Sequence, residues 1–380
     1  MPSNKNSFHL ATISLSTLKF VGQTVLFFWG IFFSQIGMTG YQQGILMAIY
    51  PLVGLLSTLP LGLLNDRIYS KTLISIGYLL LAFQFLEIGE TQNFFLIGLL
   101  LMLGSLGSNM IKVSTDSFFY KASDPEKSKQ VGSYVGTHLL GAGLGVLAGG
   151  LLLGKISFES LFHIAAGLCL IMGVLSLFLP QTTVLHLEWK EYRKDLFKPE
   201  ILIFMSMIFL WGIHMGSEIT SYGLFLKENL NLNFTEMGLY MGLTISAMFF
   251  WVKGANHLIH NRFPILRILY GGLFLSGIGQ AIMLYPHLGI SFAGRFLHEG
   301  GDALMFFFLY YGVRKLFAQE KSGGSSGLLA FVQLSANILS VLLLAPLGKQ
   351  YGNAYPLLIG AIFSLLALPL AIRFSHLIKH

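Results

Sequence analysis

Long apolar runs alternate with short polar breaks along the whole chain. A helix needs roughly 20 apolar residues to cross the hydrocarbon core of a bilayer, and the pattern contains twelve runs of about that length. The runs are continuous, whereas the strands of a membrane β-barrel alternate apolar and polar positions. We therefore predict an all-α polytopic membrane protein with spans near 8–33, 41–64, 70–89, 93–120, 130–153, 159–179, 201–226, 236–258, 264–286, 288–317, 323–347 and 354–378.

One long polar connection, Gln181–Glu200, separates the sixth span from the seventh. It divides the chain into two halves with six spans each. We predict a first bundle over 1–183, a cytoplasmic linker over 184–200 and a second bundle over 201–380. Aromatic residues lie among the charges of the connection, which favours an amphipathic segment on the membrane surface.

Composition supports a membrane protein and excludes several other classes. Hydrophobic residues make up 54% of the chain, charged residues only 11%, and the mean hydropathy is +0.69; a soluble domain carries about 25% charged residues. The sequence has no stretch of basic residues interleaved with aromatic residues, the pattern that binds nucleic acid. Its single cysteine, Cys169, cannot form an internal disulfide.

The distribution of lysine and arginine predicts the orientation. If both termini are cytoplasmic, 17 of the 24 basic residues fall in inside loops and tails, and the outside loops hold only Lys155, Lys227 and Lys349. Cytoplasmic loops carry such an excess of positive charge. We expect a multi-pass protein of a bacterial inner membrane, with both termini in the cytoplasm.

A short motif follows the second span: Gly62-Leu-Leu-Asn-Asp66-Arg67-Ile-Tyr69-Ser-Lys71. It resembles the G-x-L-x-D-R-x-x-x-[R/K] signature of the major facilitator superfamily, with Tyr69 in place of the usual glycine. The position of the motif and the six-plus-six layout agree with that family. The resemblance implies two pseudo-symmetric six-helix bundles and secondary transport by alternating access.

The resemblance also implies a conformational latch formed by Gly62, Asp66, Arg67 and Lys71. In this family the acidic residue faces the cytoplasmic start of the eleventh span, here 322–327. A carboxylate is stabilised near the N-terminus of a helix. The basic residues of the motif are expected to pair with acids near the fourth span, such as Asp124.

The fifth span contains Gly141-x3-Gly145-Val146-Leu-Ala-Gly149-Gly150. This is similar to the G-x-x-x-G-P-x-x-G-G motif of the antiporters in the superfamily, with Val146 in place of proline. It favours export by antiport over uptake. The second span resembles that of lactose-permease-type symporters, so proton-coupled uptake stays as an alternative.

Four spans carry charged or titratable residues in their interior, and the resemblance implies that these spans line a central cavity. A charge in the bilayer is costly unless it faces a cavity or a partner. The pairs at i,i+4 lie on one face of their helix. The residues are Lys19 in span 1, Lys112 and Asp116 in span 4, His214 and Glu218 in span 7, and Arg295, Glu299 and Asp302 in span 10.

We predict that Glu218 and Asp302 carry the coupling proton, with His214 acting on Glu218, and that Asp116 is a further candidate. Histidine changes its charge near neutral pH, and a buried carboxyl can exchange a proton as its surroundings change. A structural role is the alternative for each of these residues. For Asp302 that alternative is a salt bridge to Lys19 or Lys112.

The substrate cavity is expected to contain charges and aromatic rings. Aromatic walls with few charges suit a small amphipathic or charged organic solute. The predicted lining is Lys19, Lys112, Arg295, Glu299, Trp211, Tyr222 and Tyr310.

These observations predict a proton-coupled secondary transporter, with export by antiport favoured and uptake by symport as the alternative. A metal transporter, using His214 and Glu218 with Asp116, and a lipid transporter are further alternatives. The sequence has no H-E-x-x-H motif and no complete Walker A motif, so we expect neither an intramembrane zinc protease nor an ATP-driven pump. The expected partners are a small solute, protons and the bilayer; no cofactor, resident metal or nucleic acid is expected, and the protein is expected to be a monomer.

Overall fold

A computed structural model describes residues 5–122, 128–179, 198–316 and 322–377. These residues form thirteen α-helices and no strand. The helices are α1 (Lys5–Leu26), α2 (Trp29–Gln35), α3 (Gly40–Asn65), α4 (Ser70–Ile88), α5 (Phe94–Ala122), α6 (Ser128–Leu153), α7 (Phe158–Ser176), α8 (Pro199–Glu228), α9 (Phe234–His260), α10 (Ile265–Ile282), α11 (Leu288–Leu316), α12 (Ser322–Tyr351) and α13 (Ala354–Leu377).

Each predicted span corresponds to a helix within a few residues, except that the first span is broken. A turn at Phe27 and Phe28 separates α1 from α2, and the amide of Phe28 donates to the carbonyl of Val25, three residues back. Ten stretches of the described residues are long and apolar enough to cross a membrane, and the first of them runs through this turn. Helices α9 and α11, with 27 and 29 residues, are long enough but more polar.

The helices form two bundles, α1–α7 and α8–α13. Because consecutive spans alternate in direction, the start of α1 and the end of α13 lie at the same end of the molecule, which we call the terminal face. The predicted linker, 184–200, and the amphipathic segment lie mostly outside the described residues. Only Lys198, Pro199 and Glu200 are described, and the last two begin α8.

Glycines bring α6 close to α1 in the first bundle. Gly141, Gly145 and Gly149 face the backbone carbonyls of Ser16, Phe20 and Thr24 so closely that a Cβ atom on any of these glycines would overlap the carbonyl. Small residues at this spacing allow membrane helices to approach each other. The predicted glycine motif therefore holds α1, and with it Lys19, against α6.

The two bundles meet along two helix pairs. Helix α6 contacts α9 along its length: Gly132 lies against Asn256 near the terminal face, and Gly150 lies against Gly238 near the opposite face. Helix α3 contacts α12 in the half nearest the terminal face. There a Cβ on Gly327 would lie 3.0 Å from the carbonyl of Thr58 and 3.4 Å from the Cα of Gly62.

Candidate functional site

A cavity of about 290 Å³ lies between the two bundles. Residues of both bundles line it, contributed by α1, α5 and α6 on one side and by α8, α9, α11 and α12 on the other. Its polar lining residues are Lys19, Gln23, Lys112, Asp116, Tyr120, His138, Glu218, Tyr222, Arg295, Glu299, Asp302, Tyr310 and Gln333.

Asp116 of α5 is the centre of the polar group on the first-bundle wall. Its Oδ2 lies 3.2 Å from Nζ of Lys112, one turn away on the same helix. Its Oδ1 accepts hydrogen bonds from the hydroxyls of Tyr134 (2.8 Å) and Tyr310 (2.9 Å). Because Tyr310 belongs to α11 of the other bundle, this carboxylate joins the two bundles.

Aromatic rings surround this junction. The ring of Tyr310 lies 5.5–6.2 Å, centroid to centroid, from the rings of Phe119, Tyr120, Tyr134 and His138. Tyr310 and Tyr120 are near the ends of α11 and α5 at the terminal face. The rings therefore lie between the centre of the cavity and that face.

Arg295 of α11 organises the carboxylates on the opposite wall. Its guanidinium nitrogens lie 2.6 Å from Oε1 of Glu218 and 2.5 Å from Oε1 of Glu299. The guanidinium also lies over the ring of Tyr222, 4.4 Å from its centroid. The side chain of Arg295 is only 4% exposed, so its charge is balanced by these contacts rather than by water.

Two histidines lie behind the carboxylates of this wall. His214 Nε2 is 3.0 Å from Oδ2 of Asp302, and His298 Nε2 is 2.6 Å from Oε1 of Glu218 and 3.6 Å from Oδ2 of Asp302. Neither imidazole has any exposed area. The other oxygen of Asp302 accepts from Ser276 Oγ at 2.7 Å and from Trp211 Nε1 at 3.2 Å.

The backbone determines which nitrogen of each imidazole carries a hydrogen. His298 Nδ1 lies 2.7 Å from the carbonyl oxygen of Ser276, and His214 Nδ1 bonds to the carbonyl oxygen of Trp211. A carbonyl oxygen only accepts, so we assign the hydrogen of the neutral ring to Nδ1 in both cases. Each Nε2 then carries a lone pair. A further proton is needed for the hydrogen bond between His214 Nε2 and Asp302, and His298 Nε2, which has no aligned hydrogen-bond partner among the described residues, lies 2.6 Å from Oε1 of Glu218.

His214, Glu218 and His298 could also bind a metal ion, because their ligand atoms lie within 4.8 Å of one another. Imidazole and carboxylate are ligands for divalent transition metals. However, the guanidinium of Arg295 already lies against the same oxygen of Glu218, and its positive charge opposes a cation there. The sequence-based alternative that added Asp116 is wrong, since Asp116 belongs to the group on the opposite wall.

The predicted latch lies where α3 meets α12. Asp66, only 1% exposed, is the C-cap of α3, and Gly62 lies against Gly327 near the start of α12. Arg67 is exposed. Nζ of Lys71 lies 3.5 Å from the carbonyl of Leu177. The predicted acidic partner, Asp124, lies outside the described residues.

The structure corrects two sequence-based expectations and extends a third. His214 pairs with Asp302, and a ligand atom of its ring also lies within 4.8 Å of a carboxylate oxygen of Glu218. Glu218 itself pairs with His298 and Arg295. Asp302 makes no ion pair with Lys19 or Lys112 among the described residues. Trp211 does not line the cavity, because its side chain is fully buried behind the wall, where it donates to Asp302.

Three residues of the site were not predicted from the sequence. His298 is four residues before Asp302 and shares its helical face, so its spacing was a usable signal. Ser276 has no such signal, because α10 carries no charge near it and its role depends on how α10 packs against α11. His138 lines the cavity from α6, and only the fold brings it there.

The family model of the Major Facilitator Superfamily matches residues 10–332. This chain belongs to the major facilitator superfamily. The protein is therefore a membrane transporter, as the loop motif predicted. None of the curated proteins matches the chain significantly.

The crystal structure of the human organic anion transporter MFSD10 (TETRAN) has the same fold as this transporter. The TM-score is 0.78 at 14% sequence identity, and the match covers 98% of this chain and 100% of that chain. At this identity the likeness concerns the fold alone. The twelve-span, two-bundle architecture predicted from the sequence is confirmed.

Proposed function

We propose that this protein is a proton-coupled secondary transporter that exports a small organic solute by antiport. The observation that carries the proposal is the pair of buried imidazoles, His214 and His298, whose Nε2 atoms lie against carboxylates that line the central cavity. Proton-coupled transport requires buried groups that bind and release protons as the cavity changes its access.

The first step of the argument concerns the protons. An imidazole nitrogen and a carboxylate oxygen both accept hydrogen bonds, and two acceptors 2.6–3.0 Å apart repel each other unless a proton lies between them. Because backbone carbonyls occupy the Nδ1 side of each ring, this proton is additional to the one of the neutral imidazole. The cluster therefore has two positions for a mobile proton.

The second step is the charge of this wall. It carries three carboxylates, Glu218, Glu299 and Asp302, and one guanidinium, Arg295. With neutral histidines the group has two uncompensated negative charges in a site of low exposure, and such charges are costly within a bilayer. One proton at each histidine balances them.

The third step is access. Glu218 and Asp302 line the cavity, so water that enters it reaches both proton positions. The aromatic rings around Tyr310 and the contact of α3 with α12 close the terminal face. Opening that face separates Tyr310 from Asp116 and lets the same carboxylates exchange protons with the other side.

The proposal is tested with proteoliposomes that contain a pH-sensitive dye and carry a panel of organic acids, amides and amines. We expect an imposed pH gradient to drive the accumulation of at least one compound, and the movement of that compound to change the internal pH. A protonophore should abolish accumulation but not exchange. Accumulation that persists unchanged with the protonophore would refute proton coupling.

Uptake by symport is the second candidate, and one observation favours it. The proton positions lie on the wall formed by α8 and α11, whereas Lys19 and Lys112 lie on the opposite wall. A solute and a proton could therefore be bound at the same time. In oriented proteoliposomes, antiport predicts that solute and proton fluxes have opposite directions, and symport predicts the same direction.

A further inference from the structure

We propose that the transported solute carries an anionic group, and that Lys19 and Lys112 on the first-bundle wall bind it. The inference rests on the proposed function, since it names the substrate class of the same cavity. It is drawn from the charges of the two walls.

Lys19 has no ion-pair partner among the described residues, since none of their carboxylate oxygens lies within 4.0 Å of its Nζ atom. The side chain lies within the first apolar stretch, Thr12–Phe33, and lines the cavity together with Lys112 and Asp116. A lysine at this depth is costly unless it has a counter-ion.

Asp116, the acid that the described residues place on this wall, cannot supply that counter-ion fully. Asp116 is engaged by Lys112 through Oδ2 and by two tyrosine hydroxyls through Oδ1. The wall therefore has two cations for one carboxylate, an excess of one positive charge. His138 also lines the cavity and adds no negative charge.

The opposite wall gives an anion a defined orientation. Glu218, Glu299 and Asp302 line it, and with neutral histidines these carboxylates outnumber Arg295 and repel a negative group. The anionic group is thus directed to the first-bundle wall. The rest of the solute faces the apolar and aromatic lining, which includes Phe27, Met241 and Phe306.

The experiment uses purified protein and probes that differ only in their charged group. Two sets are suitable: indole-3-acetate, indole-3-acetamide and tryptamine, and hexanoate, hexanamide and hexylamine. Binding is measured as thermal stabilisation and by calorimetry. We expect an acid to bind at least ten times more tightly than its amide and its amine.

The variants assign the site. Lys19→Met should weaken binding of the acid by about 10- to 100-fold, the range expected for loss of a hydrogen bond to a charged group, whereas Lys19→Arg should retain most of the binding. Lys253→Met is the matched control, because Lys253 is exposed on α9 and lies outside the cavity lining. Its affinity should equal that of the wild type.

Three results would overturn the proposal: equal binding of acid and amide in both sets, preference for the amine, or undiminished acid binding by a folded Lys19→Met variant. Failure of the proposed function is a separate result. If the acid binds through Lys19 but a pH gradient does not drive its transport, the anion site stands and proton coupling fails. If a pH gradient drives transport of an amine, proton coupling stands and the anion site fails.

Discussion

Asp302→Asn is the substitution that most directly separates proton coupling from folding. Asp302 is the only acid of its wall that pairs with histidines and with no lysine or arginine among the described residues. Asparagine retains an oxygen that can accept from Trp211 and Ser276, as Oδ1 does now. Its amide nitrogen can donate to the lone pair of His214 Nε2, which removes the need for the additional proton.

The structure allows the cost of this change to be estimated. A hydrogen bond to a charged group contributes about 1.5–3 kcal/mol and one between neutral groups about 0.5–1.5 kcal/mol. Replacing the His214–Asp302 bond with a neutral one therefore lowers the free energy of unfolding by about 1 kcal/mol. Asp302→Ala, in contrast, leaves three buried groups unpaired, at about 1–3 kcal/mol each, and should accumulate poorly.

The assay is the accumulation of a solute in proteoliposomes under an imposed pH gradient. One pH unit supplies about 1.4 kcal/mol for each coupled proton, which corresponds to about tenfold accumulation. Loss of one proton position should therefore reduce accumulation by about tenfold for each pH unit. Exchange of labelled for unlabelled solute at equal pH requires no net proton movement and should persist.

Glu228→Gln provides the control. Exposed Glu228 ends α8 on the face opposite the terminal face, where it accepts a hydrogen bond from Asn353, and its neutralisation should leave accumulation unchanged. If a folded Asp302→Asn variant concentrates solute as the wild type does, the assignment of the proton to this cluster is refuted.

Three further substitutions test the other parts of the structure. Glu218→Gln should lower thermal stability and yield, because it leaves Arg295 with only one carboxylate; normal stability with lost coupling would instead make Glu218 the proton carrier. Asp66→Asn should slow transport yet leave binding of the solute nearly unchanged, and an equal loss of both would contradict a latch. Gly145→Ala should cost about 1–3 kcal/mol by overpacking against α1, measured as thermal unfolding, whereas Gly167→Ala, with open space around it, should be neutral.

The fold could be predicted because its main determinants are local in the sequence. Each run of about 20 apolar residues must form a helix in a bilayer, since no water is available for unpaired backbone groups. The break between α1 and α2 could not be predicted. Phe27 and Phe28 continue the apolar run, and the turn depends on how their rings pack in the folded bundle.

The site could be predicted only in part, for a related reason. Pairs within one helix follow from spacing, and the contacts Lys112–Asp116 and Arg295–Glu299 are both present. Pairs between helices depend on rotation and depth. The sequence placed His214 beside Glu218 because both lie on α8, but its imidazole points across to Asp302 on α11.

The two walls of the cavity carry uncompensated charges of opposite sign, and this difference connects the proton proposal with the anion proposal. With neutral histidines, the wall of α8 and α11 lacks two positive charges, whereas the wall of α1 and α5 lacks one negative charge. The ion pairs at Arg295 and Asp116 stay within their own walls, so neither wall compensates the other. Charges without counter-ions are costly in the low-dielectric interior of a protein. Protons complete one wall and a solute anion completes the other, and in the proposed antiport the two bind in successive steps as the cavity opens to each side. The charges that the fold does not satisfy by itself are thus the ones available for transport.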